Sequence, residues 1–327
     1  MKYFVPILSL FFLALSINSA YAHVGYVVGT ENFESHKGLD TSFLLSVFSN
    51  PFYVILMIVT IIVVLSAYIV LSKNRFVLAW TKKVTTRAEK YDEYVPLLLR
   101  LALGSALIGA GSLNETVSPI LHGTPFISQI EIVVGFLLLF GLFVPAMAIV
   151  CIALYGYAVT QNIYLIGNLD FLTISISLLM VASLPSLDDV LGIPFHTISK
   201  KAQELLPLVL RIGIGCAMTF LALYEKILNP HSSALVVQQY HLDHAIPVNA
   251  AMWVFSSGMI EIVVGIALLL GFKTRLVATI ALLVLTTSFF YFKEGVAAHV
   301  SLFAVLVVLF ITGPGKKSMD YMLGNKS

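Results

Sequence analysis

Long apolar runs follow one another along almost the whole chain, broken only by short polar segments. They fall at roughly Phe52–Leu71, Val95–Leu113, Ile127–Phe143, Ala146–Gln161, Phe171–Leu184, Leu206–Tyr224, Ala251–Phe272, Leu276–Phe292 and Ala297–Thr312. Stretches of roughly 18 nearly uncharged residues are long enough to cross about 30 Å of hydrocarbon as helices. The pattern therefore predicts an all-α integral membrane protein with about nine transmembrane helices. A further apolar stretch opens the chain. Lys2 precedes an apolar core, Phe4 to Ile17, broken by Pro6, and Ala20-Tyr21-Ala22 has the small-x-small form of a cleavage site. Residues 1–22 thus read as a signal peptide that leaves His23 at the mature N-terminus. An uncleaved anchor is the alternative, and either reading puts Gly25 to Asn50 outside.

Composition supports the membrane reading. Of 327 residues, 59% are hydrophobic and 11% charged, more apolar surface than a soluble domain can cover. The net charge of +2 is small, and its basic residues are scattered over many short loops. No nucleic-acid-binding patch is implied, and the lipid bilayer is the expected partner.

The basic residues do report orientation. With residue 23 outside, the inner loops carry Lys73, Arg75, Lys82, Lys83, Arg87, Lys90, Lys200, Lys201, Lys273, Arg275, Lys316, Lys317 and Lys326, and the outer ones only Lys37, Lys226 and Lys293. This bias matches the positive-inside rule and a multi-pass protein of a prokaryotic cytoplasmic membrane. One missed helix would scramble it.

The chain also resembles itself. Pro96-Leu97-Leu98-Leu99-Arg100-Leu101-Ala102-Leu103-Gly104 matches Pro207-Leu208-Val209-Leu210-Arg211-Ile212-Gly213-Ile214-Gly215. Ile130-Glu131-Ile132-Val133-Val134-Gly135 recurs as Ile260-Glu261-Ile262-Val263-Val264-Gly265, with Gly141 and Gly271 placed alike after them. Ser186-Leu187-Asp188 matches Ser318-Met319-Asp320. The expected organisation is a signal peptide (1–22), an outer segment with anchor helix and cytoplasmic linker (23–94), and two four-helix repeats (95–192 and 206–324). An even helix count inserts both repeats the same way up, about a pseudo-two-fold axis along the membrane normal.

Each repeat resembles the DoxX family of small four-helix membrane proteins. The marks are Arg211 near the inner end of the first helix, Glu261-Ile262-Val263-Val264-Gly265-Ile266-Ala267-Leu268-Leu269-Leu270-Gly271 in the second, and Gly313-Pro314-Gly315 followed by Ser318 and Asp320. The first repeat departs from them, with Ser183-Leu184-Pro185 for the Gly-Pro-Gly and Phe143-Val144 for Lys273-Thr274. The resemblance implies the fold and, through members akin to thiosulfate:quinone oxidoreductases, a place in a membrane redox complex.

Charged groups inside the membrane are the first candidates for chemistry. Arg100 and Arg211 lie near the inner ends of their helices, and Glu131 and Glu261 toward the outer halves of theirs. One reading is an ion pair within each bundle, or an arginine reaching lipid phosphates. The other is a polar pocket for a quinone or an anion, with the glutamates exchanging protons. Aligning the fourth helices sets Asp170 opposite His299, near the outer boundary. The second repeat adds Tyr224, Glu225 and Lys226, so its outer mouth would gather Glu225, Glu261, Glu294 and His299. The first repeat offers Glu115, Glu131 and Asp170, and the second is the better candidate for a working site.

The histidines share a side. His23, His36, His122, His231, His241, His244 and His299 map outside or to the outer boundary, and only His196 maps inside. His241-Leu242-Asp243-His244 has the i, i+3 spacing that lets two imidazoles reach one metal on a helix. A mature His23 would add an amine and an imidazole, suited to copper(II). Copper or zinc binding and solvated loop histidines both fit this pattern. Cys151 and Cys216 stand singly in apolar segments, which excludes a dithiol or zinc ribbon. No Walker loop, H-E-x-x-H or nucleophile elbow is present. Gly104, Gly135, Gly215 and Gly265 suit close helix packing.

The leading expectation is a quinone-interacting membrane subunit that receives electrons from a soluble oxidoreductase, since no side chain here holds an electron unaided. The alternatives are a non-enzymatic scaffold or assembly protein, and an outward-facing metal-handling or transport protein. No Gly/Pro interruption marks the midplane, which weighs against transport.

Overall fold

A computed structural model describes Val24 and residues 35–181, 186–192, 200–292 and 296–323. The expected signal segment lies outside the described residues, as do His23, His196, Glu294 and Ser183-Leu184-Pro185.

The chain enters through α1 (Thr41–Ser49), whose first turn is capped by Asp40 accepting from the Phe43 amide at 2.9 Å. It turns by 82° into α2 (Pro51–Lys73). Proline at the first helical position suits this start, because its missing N–H is an orphan there anyway. Exposed Ile58, Ile61, Ile62 and Val63 make α2 apolar all round, as a lipid-facing helix must be. The basic helix α3 (Arg75–Ala88) follows, and a 3-10 turn (Glu89–Tyr94) leads into the main bundle.

The first helical set is α4 (Val95–Ser112), α5 (Pro125–Phe140), α6 (Val144–Gln161) and α7 (Leu169–Leu178). Two short helices, α8 (Leu187–Val190) and α9 (Lys200–Gln203), join it to the second set. That set opens with α10 (Leu206–Leu221), continued by a π turn at Ala222–Ile227. After α11 (Pro230–Gln239) and α12 (Leu242–Ala245) come α13 (Ala250–Leu270), α14 (Thr274–Phe292), α15 (Val296–Thr312) and the short α16 (Met319–Met322).

The fold is that of a helical, multi-pass membrane protein. Among the described residues, five helices are long and apolar enough to cross a membrane, within Lys82–Ser112, Val144–Gln161, Lys200–Ile227, Ala250–Leu270 and Thr274–Phe292. The bent pair α1–α2 makes a sixth if it is one span. The other three segments expected to span coincide with shorter apolar helices, Pro125–Phe140, Ile163–Leu178 and His299–Thr312. At about 1.5 Å per residue, a helix of 16 residues covers less than the usual hydrocarbon thickness. One element departs from an all-helical expectation. Glu115–Thr116 (β1) and Ser118–His122 (β2) form a small antiparallel hairpin between α4 and α5.

Glycines set the closest helix contacts. A Cβ on Gly104 would lie 2.8 Å from the Gly135 carbonyl oxygen, and one on Gly135 2.7 Å from that of Gly104. The same reciprocal approach joins Gly215 of α10 and Gly265 of α13, at 2.7 and 2.9 Å. Each set then locks its second helix in the same way. Gly141 and Gly271 end α5 and α13 in the left-handed region, at φ 71° and 67°, where only glycine is unstrained. Two residues on, a backbone N–H reaches a carboxylate: Phe143 donates to Asp188 at 3.0 Å, and Lys273 to Asp320 at 2.9 Å.

The two sets interlock rather than stand side by side. α7 packs on α10, α15 packs on α4, and α7 meets α15 between them. Leu99, Leu103 and Leu107 of α4 share one core with Leu210 and Ile214 of α10 and Leu306 and Leu309 of α15. This exchange of fourth helices brings groups from both sets to one place.

Candidate functional site

That place is a cavity of 350 Å³ at the end of the bundle where α10 finishes. Its walls are mostly apolar, with Val236, Val237, Trp253, Val254, Leu285 and Leu302, and its polar groups stand in two clusters.

The first cluster depends on the π turn. The Leu228 amide reaches back five residues to the Leu223 carbonyl at 2.8 Å, so one extra residue is wound into the helix. Such bulges re-aim side chains and recur at functional sites. Here Glu225, Lys226 and Glu261 all line the cavity. The Lys226 ammonium donates to Glu261 Oε2 at 2.8 Å and lies 3.5 Å from Glu225 Oε2. Glu225 Oε1 accepts from the Tyr164 hydroxyl and, at 3.1 Å, from the Val24 amide. Glu225 is almost wholly buried, whereas Glu261 keeps 35% of its side chain open. Gly258 lets α13 come close to Lys226, since a Cβ there would sit 3.0 Å from Lys226 Cβ.

The second cluster joins the two sets. Asp170 of α7 accepts a hydrogen bond from Ser301 of α15 and lies close enough to His299 for their charges to act on each other. All three are buried, and His299 packs against Phe289 at 5.9 Å. Asp170 and His299 hold equivalent positions in the aligned fourth helices, and the packing of α7 against α15 is what sets the two beside each other. Asn168 adds a buried side-chain oxygen without a partner on the same wall.

Other expected site residues lie elsewhere. Tyr224 is not among the cavity-lining residues; it stacks on Phe220 at 5.5 Å and meets Tyr164 edge-on at 5.2 Å. The arginines do not pair with the glutamates. Arg211 donates to the Leu269 carbonyl at 3.4 Å and the Lys317 carbonyl at 2.6 Å, at the opposite end of the helices. A guanidinium there meets the negative end of the α13 dipole and takes up one of its last carbonyls, that of Leu269. Arg100 takes the corresponding place against Gly141 and Ser186. Glu131 is fully buried, and its Oε1 accepts from the Val117 amide of the hairpin at 2.9 Å. The half-buried Glu115 stands at the start of that hairpin, and burial pushes its carboxyl up to about 7.

His241 and His244 do come together, with ring centroids 5.4 Å apart. Asp243 joins them, and the three residues offer ligand atoms within 4.8 Å of one another on an exposed surface.

In the second set the family signature is now in three dimensions: Arg211 under the α13 terminus, Glu261 at the cavity, and Gly265 and Gly271 at the close approach and the turn. Residues 206–294 match the DoxX family model. The matched segment therefore carries Lys226, Glu225 and Glu261, while Asp170 and His299 lie outside it. No curated protein and no solved structure matches the chain.

Several partners had no signal in the sequence. Tyr164, Asn168 and Ser301 sit in or beside apolar runs, and only the packing of the helices brings Asn168 to the cavity wall, Tyr164 to Glu225 and Ser301 to Asp170. Trp253 carried a weak signal, a lone aromatic near a helix start.

Proposed function

We propose that the cavity binds the head group of a lipid-soluble quinone, and that the protein is a membrane subunit of a redox complex. The observation that carries this reading is the pair of polar clusters, Glu225–Lys226–Glu261 and Asp170–His299, within one largely apolar cavity. That combination suits a ligand with polar oxygens on a greasy ring and tail. The orphaned Asn168 oxygen on the same wall would accept from a hydroxyl of the reduced, quinol form.

A bound quinone would supply the capacity to take up two electrons and two protons. The chain's own residues do the rest. The Lys226 ammonium and the His299 imidazole would donate hydrogen bonds to the carbonyl oxygens. Glu261, the more open carboxyl, would exchange protons with them, and Glu225 would hold Lys226 in place. Trp253 and the valines would exclude water. Electrons must come from a soluble partner, because no side chain here stores them. The internal repeat is part of the same proposal: two copies of one unit, exchanging fourth helices, would make a single site between them. The distribution of basic residues supports an orientation with the cavity end facing outside.

Solvent extraction of the detergent-purified protein, followed by mass spectrometry, tests the reading. Stoichiometric quinone is expected in the wild type and in Glu131→Ala, and should be lost in Glu261→Ala while the fold persists. Quinone no higher than in bulk lipid would sink the proposal and leave a scaffold role in front. A second reading rests on His241, Asp243 and His244, whose convergence suits copper or zinc at the surface. Elemental analysis after zinc or copper exposure should then show metal that His241→Ala removes.

A further inference from the structure

One wall of the cavity is thinly packed. α13 contributes Val254, Ser257 and Glu261 to the lining, and α14 contributes Val284, Leu285 and Ser288. The turn at residues 271–273 joins these two helices at the opposite end of the bundle. Burial along α14 fades with distance from that turn. Its buried residues, Thr274, Ala278 and Ala281, all lie in its first half, and none of residues 282–292 is buried. In this second half the helix leans on α15, where Phe289 packs on His299 and Phe303, both at 5.9 Å. Val284 lines the cavity, yet it is 57% exposed. A side chain sealed inside a wall could not be so open. Its neighbour Leu283, outside the lining, is 63% exposed, so Val284 stands at the edge where cavity and lipid meet.

The surface beside this gap carries few open polar groups. Thr286 and Thr287 donate their hydroxyls back to the Leu282 and Leu283 carbonyls, at 2.6 and 2.9 Å, and Ser257 donates to the Val254 carbonyl at 3.1 Å. Hydroxyls bonded in this way suit contact with lipid. The loop end of the cavity differs, because contacts cross it. Tyr240 meets Phe292 edge-on at 4.7 Å, and its carbonyl accepts from the Tyr291 hydroxyl at 3.2 Å. Trp253 Nε1 donates to the Ile246 carbonyl at 3.4 Å, and the Val24 amide holds Glu225.

We propose that the gap between α13 and α14 is a lateral portal, through which a ligand dissolved in the bilayer enters and in which its apolar tail stays. The portal rests on the head-group reading of the cavity and narrows the ligand class to a polar head on a long apolar chain. A volume of 350 Å³ is near the lower end of the about 300–1,000 Å³ that drug-sized ligands fill. A head group fills it, and a long tail has to leave by the open side. A tail left in lipid gives up none of its apolar surroundings. Val284 and Ser288 therefore meet the tail, while Lys226 and Glu261 meet the head.

The test uses the full chain in lipid nanodiscs, in a Trp80→Phe background that leaves Trp253 as the sole tryptophan. Two benzoquinones with the same head group, one with a decyl tail and one without, are titrated against its fluorescence. Both should quench the background protein saturably. Val284→Phe puts a ring into the gap at a position open enough to accept one, and Ser288→Leu narrows the gap one turn further on. Each should weaken the tailed probe about tenfold, the loss expected when about two methylenes lose their seat, and leave the tail-less probe unchanged. Leu283→Phe, beside the gap but outside the lining, should change neither. A tailed probe that binds Val284→Phe and Ser288→Leu as tightly as the background would overturn the portal, and the head-group site would stand if the tail-less probe still binds. An equal loss for both probes would overturn the portal too, as damage to the cavity itself. Quenching by neither probe in the background protein would remove the head-group site and the portal with it.

Discussion

Lys226→Met removes one charge from the cavity and little else, because methionine keeps most of the lysine stem. The ammonium bridges Glu261 at 2.8 Å and Glu225 at 3.5 Å. Its loss leaves two carboxylates facing each other, one of them with a side chain only 3% exposed. Breaking a buried ion pair from one side costs about 3–5 kcal/mol, mostly because the abandoned charge stays buried. Two features pull the value to the lower end. Glu261 keeps a third of its side chain open to the cavity, and Glu225 retains the Tyr164 hydroxyl and the Val24 amide. The expected loss is therefore about 3 kcal/mol. The double variant Lys226→Met/Glu261→Gln removes one of the stranded charges and should recover more than half of it. Denaturant titration in detergent, followed by fluorescence, reads both, since Trp253 lines the cavity. A Lys226→Met loss below about 1 kcal/mol, the range of a solvated pair, would refute the argument. A double variant no more stable than the single one would refute it equally.

Gly271→Ala should be among the most damaging single-methyl changes, since φ is 67° and the new Cβ would collide with the Arg211 guanidinium. The left-handed backbone alone costs about 1–2 kcal/mol, whereas Gly156→Ala, with nothing within 4 Å, should leave Tm level or slightly raised. Asp320→Ala removes the acceptor for the Lys273 and Thr274 amides, at 2.9 and 3.1 Å. A loss of about 2–3 kcal/mol is expected in the same titration. Asp40 is held well below the usual carboxylate range by the Ser42 hydroxyl, the Phe43 amide and His231. A depressed folded pKa stabilises above the unfolded value, near about 3.9, and that stability is lost as pH falls through the folded one. Protection against hydrogen exchange at residues 41–46 should therefore fall below about pH 4 more in the wild type than in Asp40→Ala; an equal fall would refute this role of Asp40.

The positions of the helices were legible because lipid demands long apolar runs, and those runs need no periodicity to be found. The helix ends at Gly141 and Gly271 were not legible, because the apolar runs Ile127–Phe143 and Ala251–Phe272 carry on past them, and the glycines themselves suit helix packing as well as a cap. Nor was the hairpin. Glu115 to His122 holds a proline and alternates poorly, and its tight turn forces Val117 to φ 62°, which no residue preference announces. The π turn was equally hidden, because Leu221 to Leu228 continues an apolar helix and the added residue shows only in the Leu228 hydrogen bond. Arg100 and Arg211 illustrate a different limit. Their depth could be read from the sequence, but an arginine near a helix start and a glutamate near the other end do not meet, and the nearest acceptors are backbone carbonyls.

Where the cavity forms follows from what fills the equivalent space. In the second set the π turn and α11 frame an opening beside Glu261, and Lys226 projects into it. In the first set the hairpin crosses the corresponding end, and the Val117 amide takes Glu131 Oε1. The same glutamate thus meets backbone in one set and a lysine at a cavity in the other. The cavity nevertheless needs both sets, because Asp170 is delivered by α7 and His299 by α15, and those helices have crossed over to pack on each other's neighbours. A single four-helix unit of this sequence would keep Glu261 and Lys226 but lack Asp170 and Asn168. The segment that matches the DoxX model, residues 206–294, supplies most of the lining, and Gly167, Asn168, Asp170, His299 and Leu302 add to it from outside that segment.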